Sequence, residues 1–124
     1  NNTESGLTNY KLIMGVNALE NIKYIGENRI IKTKRTQYAV DWHIWKNYGY
    51  ILFLIIATNQ KEKNKALYKE AVSNMRIRLF SVVIHSELGI KTKLKMIYKG
   101  CFPFCWAKSY LKEQKRALVG DTMR

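Results

Sequence analysis

Apolar residues return at helical intervals along most of this chain, and about five segments emerge from that spacing. Leu12, Val16 and Leu19 stand four and three apart inside residues 7–25. That predicts a first helix, with Thr8 or Asn9 as its N-cap. Gly26, Glu27 and Asn28 then break the pattern in the manner of a glycine C-cap. Residues 29–35 hold IIKTKR, readable as a short extended stretch or as the opening turns of the next helix, and helix is the preferred reading.

Residues 38–58, YAVDWHIWKNYGYILFLIIAT, form the most apolar stretch. A helix apolar on every side belongs at the centre of a bundle. The β-rich composition of residues 50–57 leaves a strand as the competing reading. The unbroken apolar core there is eight residues long, against roughly twenty for a bilayer-spanning helix. Tyr68, Val72, Met75, Leu79 and Val82 then mark an amphipathic helix over about 62–86, widened by Leu67 and Ala71 and stopped near Gly89. Lys65, Lys69 and Arg76 fall off that stripe.

From Ile90 onward two periods compete. Ile90, Thr92, Leu94 and Met96 alternate with lysines as a strand would, whereas Ile90, Leu94, Ile97, Tyr98 and Cys101 fit one face of a helix. The longer match favours helix, with Lys91, Lys95 and Lys99 as one basic ridge. Pro103 suits the first turn of a last helix. Phe104, Ala107, Leu111 and Leu118 are expected to face inward, Trp106 and Tyr110 to form an adjoining strip, and the chain to fray from Gly120. The predicted class is all-α, a small irregular bundle around one apolar helix. The likeness of residues 66–72 to a tetratricopeptide helix has no counterpart about thirty-four residues away, so no repeat is assigned.

Composition changes this picture in one respect. A chain of 124 residues with 47% apolar and 25% charged residues, one proline and seven glycines is ordinary for one helical domain, which would bury roughly two-thirds of its unfolded surface. The net charge of +13 is not ordinary, and it draws polyanions. From Lys91 to the end, nine Lys or Arg face two acids.

Local motifs for catalysis are missing: there is no glycine-rich phosphate loop, G-x-S-x-G elbow, paired carboxylate or Asp-x-Asp. Cys101 and Cys105 lack the spacing and partners of a zinc site, and two buried, reduced thiols are expected. His43 and His85 lie in apolar helical stretches and read as packed or half-exposed residues, not ligands. The opening NNT is formally a glycosylation sequon, which the reduced-thiol reading counts against. No signal-peptide pattern follows Asn1, and a start on Asn1 instead of Met leads us to expect the trailing part of a longer protein.

One stretch invites a functional reading. In KMIYKGCFPFCWAKSYLKEQKR, rings and cations interleave, as suits a helix lying in an anionic membrane interface. The candidate contacts are Lys91, Lys95, Lys99, Trp106, Lys108, Lys112, Lys115 and Arg116. Nucleic acid is the alternative partner, with cations on phosphates and rings on bases. No helix-turn-helix spacing or RNP-like strand supports it, so it ranks second.

The chain also resembles the C-terminal helical region of bacterial family 2 glycosyltransferases, the inverting GT-A-like enzymes of surface polysaccharide synthesis. Asn2 and Ser5 match that family's Asn-x-x-Ser element, Thr8 falls one residue late, and the family's preceding Tyr–Arg pair is missing. The closing segment LKMIYKGCFPFCWAKSYLKEQK matches in character. The resemblance implies a non-catalytic tail bracing an upstream catalytic domain, cytoplasmic and peripheral to the inner membrane. Nucleotide-sugar and divalent metal would bind that other domain, so no catalytic residue and no cofactor is assigned to this segment.

Overall fold

Five helices make up the described chain: α1 (Asn2–Asn28), α2 (Lys34–Ala57), α3 (Lys65–Ile84), α4 (Ile90–Cys101) and α5 (Pro103–Thr122). The computed structural model describes the backbone of residues 2–29, 31–84 and 87–122, and the side chains of 11–29, 31–84 and 87–116. Among these residues there is no strand, so the all-α class holds and both strand alternatives fail. No helix is long and apolar enough to cross a membrane among the described residues.

The apolar α2 sits at the centre, packed against α1, α3 and α5, while α4 leans on α3 and α5. Tyr48, Ile51, Leu52 and Ile55 are wholly enclosed. Burial obliges the polar tips of its aromatics to find partners. Lys23 Nζ of α1 donates to Tyr48 Oη at 3.0 Å, and Trp45 Nε1 donates to the Met75 carbonyl of α3 at 3.0 Å. These two bonds fix the rotation of α2 against both neighbours.

α1 corrects two expectations. Its backbone is helical from Asn2, so neither Thr8 nor Asn9 caps it, and it runs through Gly26 to Asn28. Gly26 is not a terminator because it serves close approach: a Cβ there would lie 2.8 Å from Val40 Cγ1 of α2. Gly15 also lies against α2, and its carbonyl accepts from Asn47 Nδ2 at 2.7 Å. Leu12 and Leu19 are buried as the spacing required.

Residues 31–33 are not helical, which corrects the helical reading of 29–35 there, while Lys34 and Arg35 do open α2. Thr33 caps α2 instead. Its hydroxyl accepts from Thr36 N at 3.1 Å while Thr36 Oγ1 accepts from Thr33 N at 2.9 Å, a reciprocal capping box built from two threonines. At the other end, Asn59 takes φ 55. Asn59 N donates to the Ile56 carbonyl and Gln60 N to the Ile55 carbonyl, the Schellman closure with asparagine in the left-handed position.

α3 keeps its predicted stripe. Ala71, Met75 and Val82 are buried, with Leu67, Tyr68, Val72 and Leu79 half-buried beside them. It begins at Lys65, after a turn, and the predicted end at Ser86 lies outside the described residues, as does His85. In α5, Pro103 opens the helix, Ala107 is buried, and Phe104 and Leu111 are half-buried. The Leu118 side chain lies outside the described set, and helical backbone continues past Gly120 to Thr122.

α4 is the reversal. Ile90, Leu94, Ile97 and Tyr98, the apolar face of this helix, are all exposed, and so is Cys101, expected buried. Met96 and Gly100 are the buried residues, with Lys99 tucked beside them. Gly100 decides this orientation, because its bare Cα lets α4 press against Leu79 of α3 where no side chain would fit.

Candidate functional site

Turning α4 this way splits the predicted basic ridge. Lys91 and Lys95 are exposed, but Lys99 points inward. Its Nζ lies 4.7 Å from the Trp45 ring centroid and 4.2 Å from that of Trp106. The room it occupies exists because position 49 of α2 is glycine: a Cβ there would lie 2.8 Å from Lys99 Cε. Burial, and then repulsion from Lys46, push the Lys99 ammonium down from 10.5 to about 8. The two ring faces act the other way, since their electron-rich π clouds favour the cation.

Lys99 lies on the floor of a cleft of about 440 Å³ where α2, α4 and α5 meet. α2 contributes Trp42, Trp45 and Lys46, the last with its Nζ 4.4 Å from the Trp42 ring centroid. α4 contributes Thr92, Lys95, Met96 and Tyr98 in addition to Lys99. α5 closes the far wall with Trp106, Ser109, Tyr110 and Glu113. Trp106 stacks on Tyr110 at 5.6 Å and 20°, and Tyr110 meets Phe53 edge-on at 4.9 Å. The wall is therefore rigid aromatic packing with cations set into it. The sequence pointed to Lys95, Lys99 and Trp106 here. It did not point to Trp42, Lys46 or Glu113, whose sequence separation from α4 or fall on α5 gives no local signal.

The remaining candidates stay at the surface. Lys108 lies over the Phe104 ring at 4.8 Å, and Lys112, Lys115 and Arg116 are exposed along α5. Cys101 and Cys105 are free and exposed, which corrects the expectation of buried thiols. The reason for Cys101 is the rotation of α4, and Cys105 falls on the outer side of α5. His43 is exposed too, meeting Trp42 edge-on at 5.4 Å.

The outward side of α4 forms a second feature. Ile90 is 78% exposed, Leu94 60% and Phe102, just past the helix, 59%. At 100° per residue, Ile90, Leu94, Ile97 and Tyr98 fall within one arc, with Lys91 bordering it on one side and Lys93 on the other. On α3, Ile77, Phe80 and Ile84 are exposed at i, i+3 and i+7.

A more polar cleft of about 420 Å³ lies where α1, α2 and α3 meet. There Arg78 Nε stands 3.6 Å from Asp41 Oδ1, an ion pair beyond hydrogen-bond reach, while the Arg78 guanidinium also bonds Asn74 Oδ1. Among the described residues, no group of three His, Cys, Asp or Glu side chains is placed to hold a metal. No protein-family model, curated protein or solved structure matches this chain.

Proposed function

We propose that this chain is a non-catalytic helical region that holds itself on an anionic membrane surface through the outward face of α4. The observation that carries this reading is the exposure of Ile90, Leu94, Ile97, Tyr98 and Phe102 on one side of a lysine-bordered helix. An exposed apolar stripe of this kind in a chain of charge +13 has a natural counterpart in a surface both greasy and negative. α4 would lie in the headgroup plane, side chains in the acyl boundary and ammonium groups on anionic lipid. Each nearby lysine adds on the order of 1 kcal/mol. Lys108, Lys112, Lys115 and Arg116 of α5 enlarge the positive field.

The resemblance extends the proposal: the region is the tail of an inverting glycosyltransferase acting at the inner leaflet, its catalytic domain preceding Asn1. That extension rests on the match of Asn2, Ser5 and the closing segment. Gene sequence ahead of Asn1 tests it, through the presence or absence of a strand–helix alternation with Asp-x-Asp.

Vesicle flotation tests the docking itself. The chain is expected to float with phosphatidylglycerol-containing vesicles and not with phosphatidylcholine alone. Leu94→Asp with Ile97→Asp should abolish flotation, and Lys91→Glu with Lys93→Glu should weaken it strongly. Salt-sensitive binding to nucleic acid that ignores the Leu94 and Ile97 changes, with no flotation, would replace the membrane by the alternative partner.

A further inference from the structure

The cleft between α2, α4 and α5 borders the docking face at Tyr98, which belongs to both, while Ile90, Leu94, Ile97 and Phe102 take no part in its walls. Its walls combine two chemistries. Lys46, Lys95 and Lys99 converge from α2 and α4, and among the described residues the cleft has one carboxylate, Glu113, across it on α5. Trp42, Trp45 and Met96 supply apolar wall. The volume of about 440 Å³ lies in the usual range of small-ligand sites, roughly 300–1,000 Å³, and far exceeds what a bare anion fills. A largely apolar, preformed cleft with a few convergent charges is the ordinary form of such a site.

From this arrangement we infer that the cleft binds a phosphate monoester carried on a small ring. The phosphate sits among Lys46, Lys95 and Lys99, and the ring rests against the tryptophan edges and Met96. A dianion suits three cations better than a single negative charge does, and a monoester is mostly dianionic above about pH 6. Trp106 already carries the Lys99 ammonium over its ring and stacks on Tyr110, so the ligand ring packs beside it instead of stacking on it. Glu113 keeps the phosphate on the α2–α4 side and is free to accept from a ligand hydroxyl.

The titration of Lys99 supplies a signature that general attraction to a basic protein lacks. The titratable groups that line the cleft with it are Lys46 on α2, Lys95 and Tyr98 on α4, and Glu113 and Tyr110 on α5, while α3 contributes no residue to the lining. In this setting Lys99 is lowered to about 8. An anion prefers the charged amine, so affinity falls as pH rises through that value.

The chemistry has two sources, a soluble phosphorylated ring compound or a phosphate-monoester lipid headgroup. Tryptophan fluorescence of the intact chain, titrated with phenyl phosphate, inorganic phosphate and phenol, tests the site. Saturable binding is expected for phenyl phosphate, weaker binding for inorganic phosphate and none for phenol. Affinity should drop about tenfold from pH 7 to pH 9. Lys46→Gln with Lys95→Gln, both exposed positions, should weaken it at least tenfold, and Lys63→Gln, outside the cleft, should not. Lys99→Gln should abolish the pH dependence, with circular dichroism confirming its helices. Absence of saturation by phenyl phosphate, indifference to the Lys46 and Lys95 changes, or a flat pH response overturns the inference. Competition by short-chain phosphatidic acid assigns the site to a headgroup, and its failure to compete assigns it to a soluble ligand. Flotation and fluorescence are separate readouts, so the docking proposal and this one fall independently.

Discussion

Leu79 of α3 closes directly over Gly100 of α4. A Cβ on that glycine would lie 2.6 Å from Leu79 Cδ1, 2.7 Å from Cδ2 and 2.9 Å from Cγ. This contact sets the rotation of α4, and the rotation sets everything proposed above. With the glycine side pressed inward, Lys99 is carried between Trp45 and Trp106 while Leu94 and Ile97 turn to solvent.

Gly100→Ala should therefore destabilise the fold. Alanine gains about 1 kcal/mol of helix propensity over glycine, but overpacking at so short a contact costs typically 1–3 kcal/mol. Three Leu79 atoms stand inside 3.0 Å, so the loss should exceed the gain, by about 1–2 kcal/mol in urea unfolding. Gly89→Ser is the contrasting change. Gly89 is the N-cap of α4, has no neighbour within 4 Å and offers no side-chain acceptor. A serine there should leave stability equal or raise it by a few tenths of a kcal/mol.

That contact also marks where the sequence stopped being legible. The five helices, the central place of α2 and the stripe of α3 follow from long, clean periodicity, which burial then satisfies. The inward side of α4 does not, because the code for it is a glycine, a methionine and a lysine. A rule that apolar residues face inward selects Ile90, Leu94 and Ile97 instead. Gly26 misled for the same reason: glycine signals both a helix end and a close helix crossing, and only Val40, fourteen residues on, tells which. The cleft was half legible. Lys95, Lys99 and Trp106 share one segment, but Trp42 and Lys46 join them only through tertiary folding.

The two sides of α4 should respond oppositely to mutation. Leu94 is 60% exposed and Met96 7%. Leu94→Gln is expected to change stability by no more than about 0.5 kcal/mol. Met96→Ala should cost about 2 kcal/mol, the low end for a truncated core side chain, because it lies at the edge of the core. The reverse order in thermal or urea unfolding would restore the inward stripe that the sequence pattern favours.

Stability should also depend on pH through Lys99. Its folded pKa of about 8 lies below the 10.5 of the unfolded chain, so between these values the unfolded state binds more protons. Stability then rises as pH increases from 8 towards 10. The full gain is at most about 3 kcal/mol, reduced by the favourable ring contacts of the cation. Lys23 is raised by its bond to Tyr48, and Tyr68 is raised by burial. Both contributions fade only near and above pH 10, so the window of 8–9.5 isolates Lys99. Urea midpoints should climb across that window in the unaltered chain and stay flat in Lys99→Met. At pH 7 that variant should match or exceed the parent, since an apolar isostere escapes the desolvation cost.

The thiols give the last test. Cys101 shares the outward arc of α4 with Leu94 and Ile97, and Cys105 is exposed on α5. Both should react with a disulfide reagent such as dithionitrobenzoate in the folded protein, to the same extent as in urea, because access rather than unfolding limits the thiolate. Cys101→Ser with Cys105→Ser should shift stability by no more than about 0.5 kcal/mol. Anionic vesicles supply the discriminating condition. If α4 docks as proposed, Cys101 sits at the headgroup boundary, and its labelling should slow when vesicles are added while the Leu94→Asp, Ile97→Asp variant labels at an unchanged rate. Native protection of Cys101 without vesicles would mean that its side of α4 is already covered, and the docking face would have to be sought elsewhere.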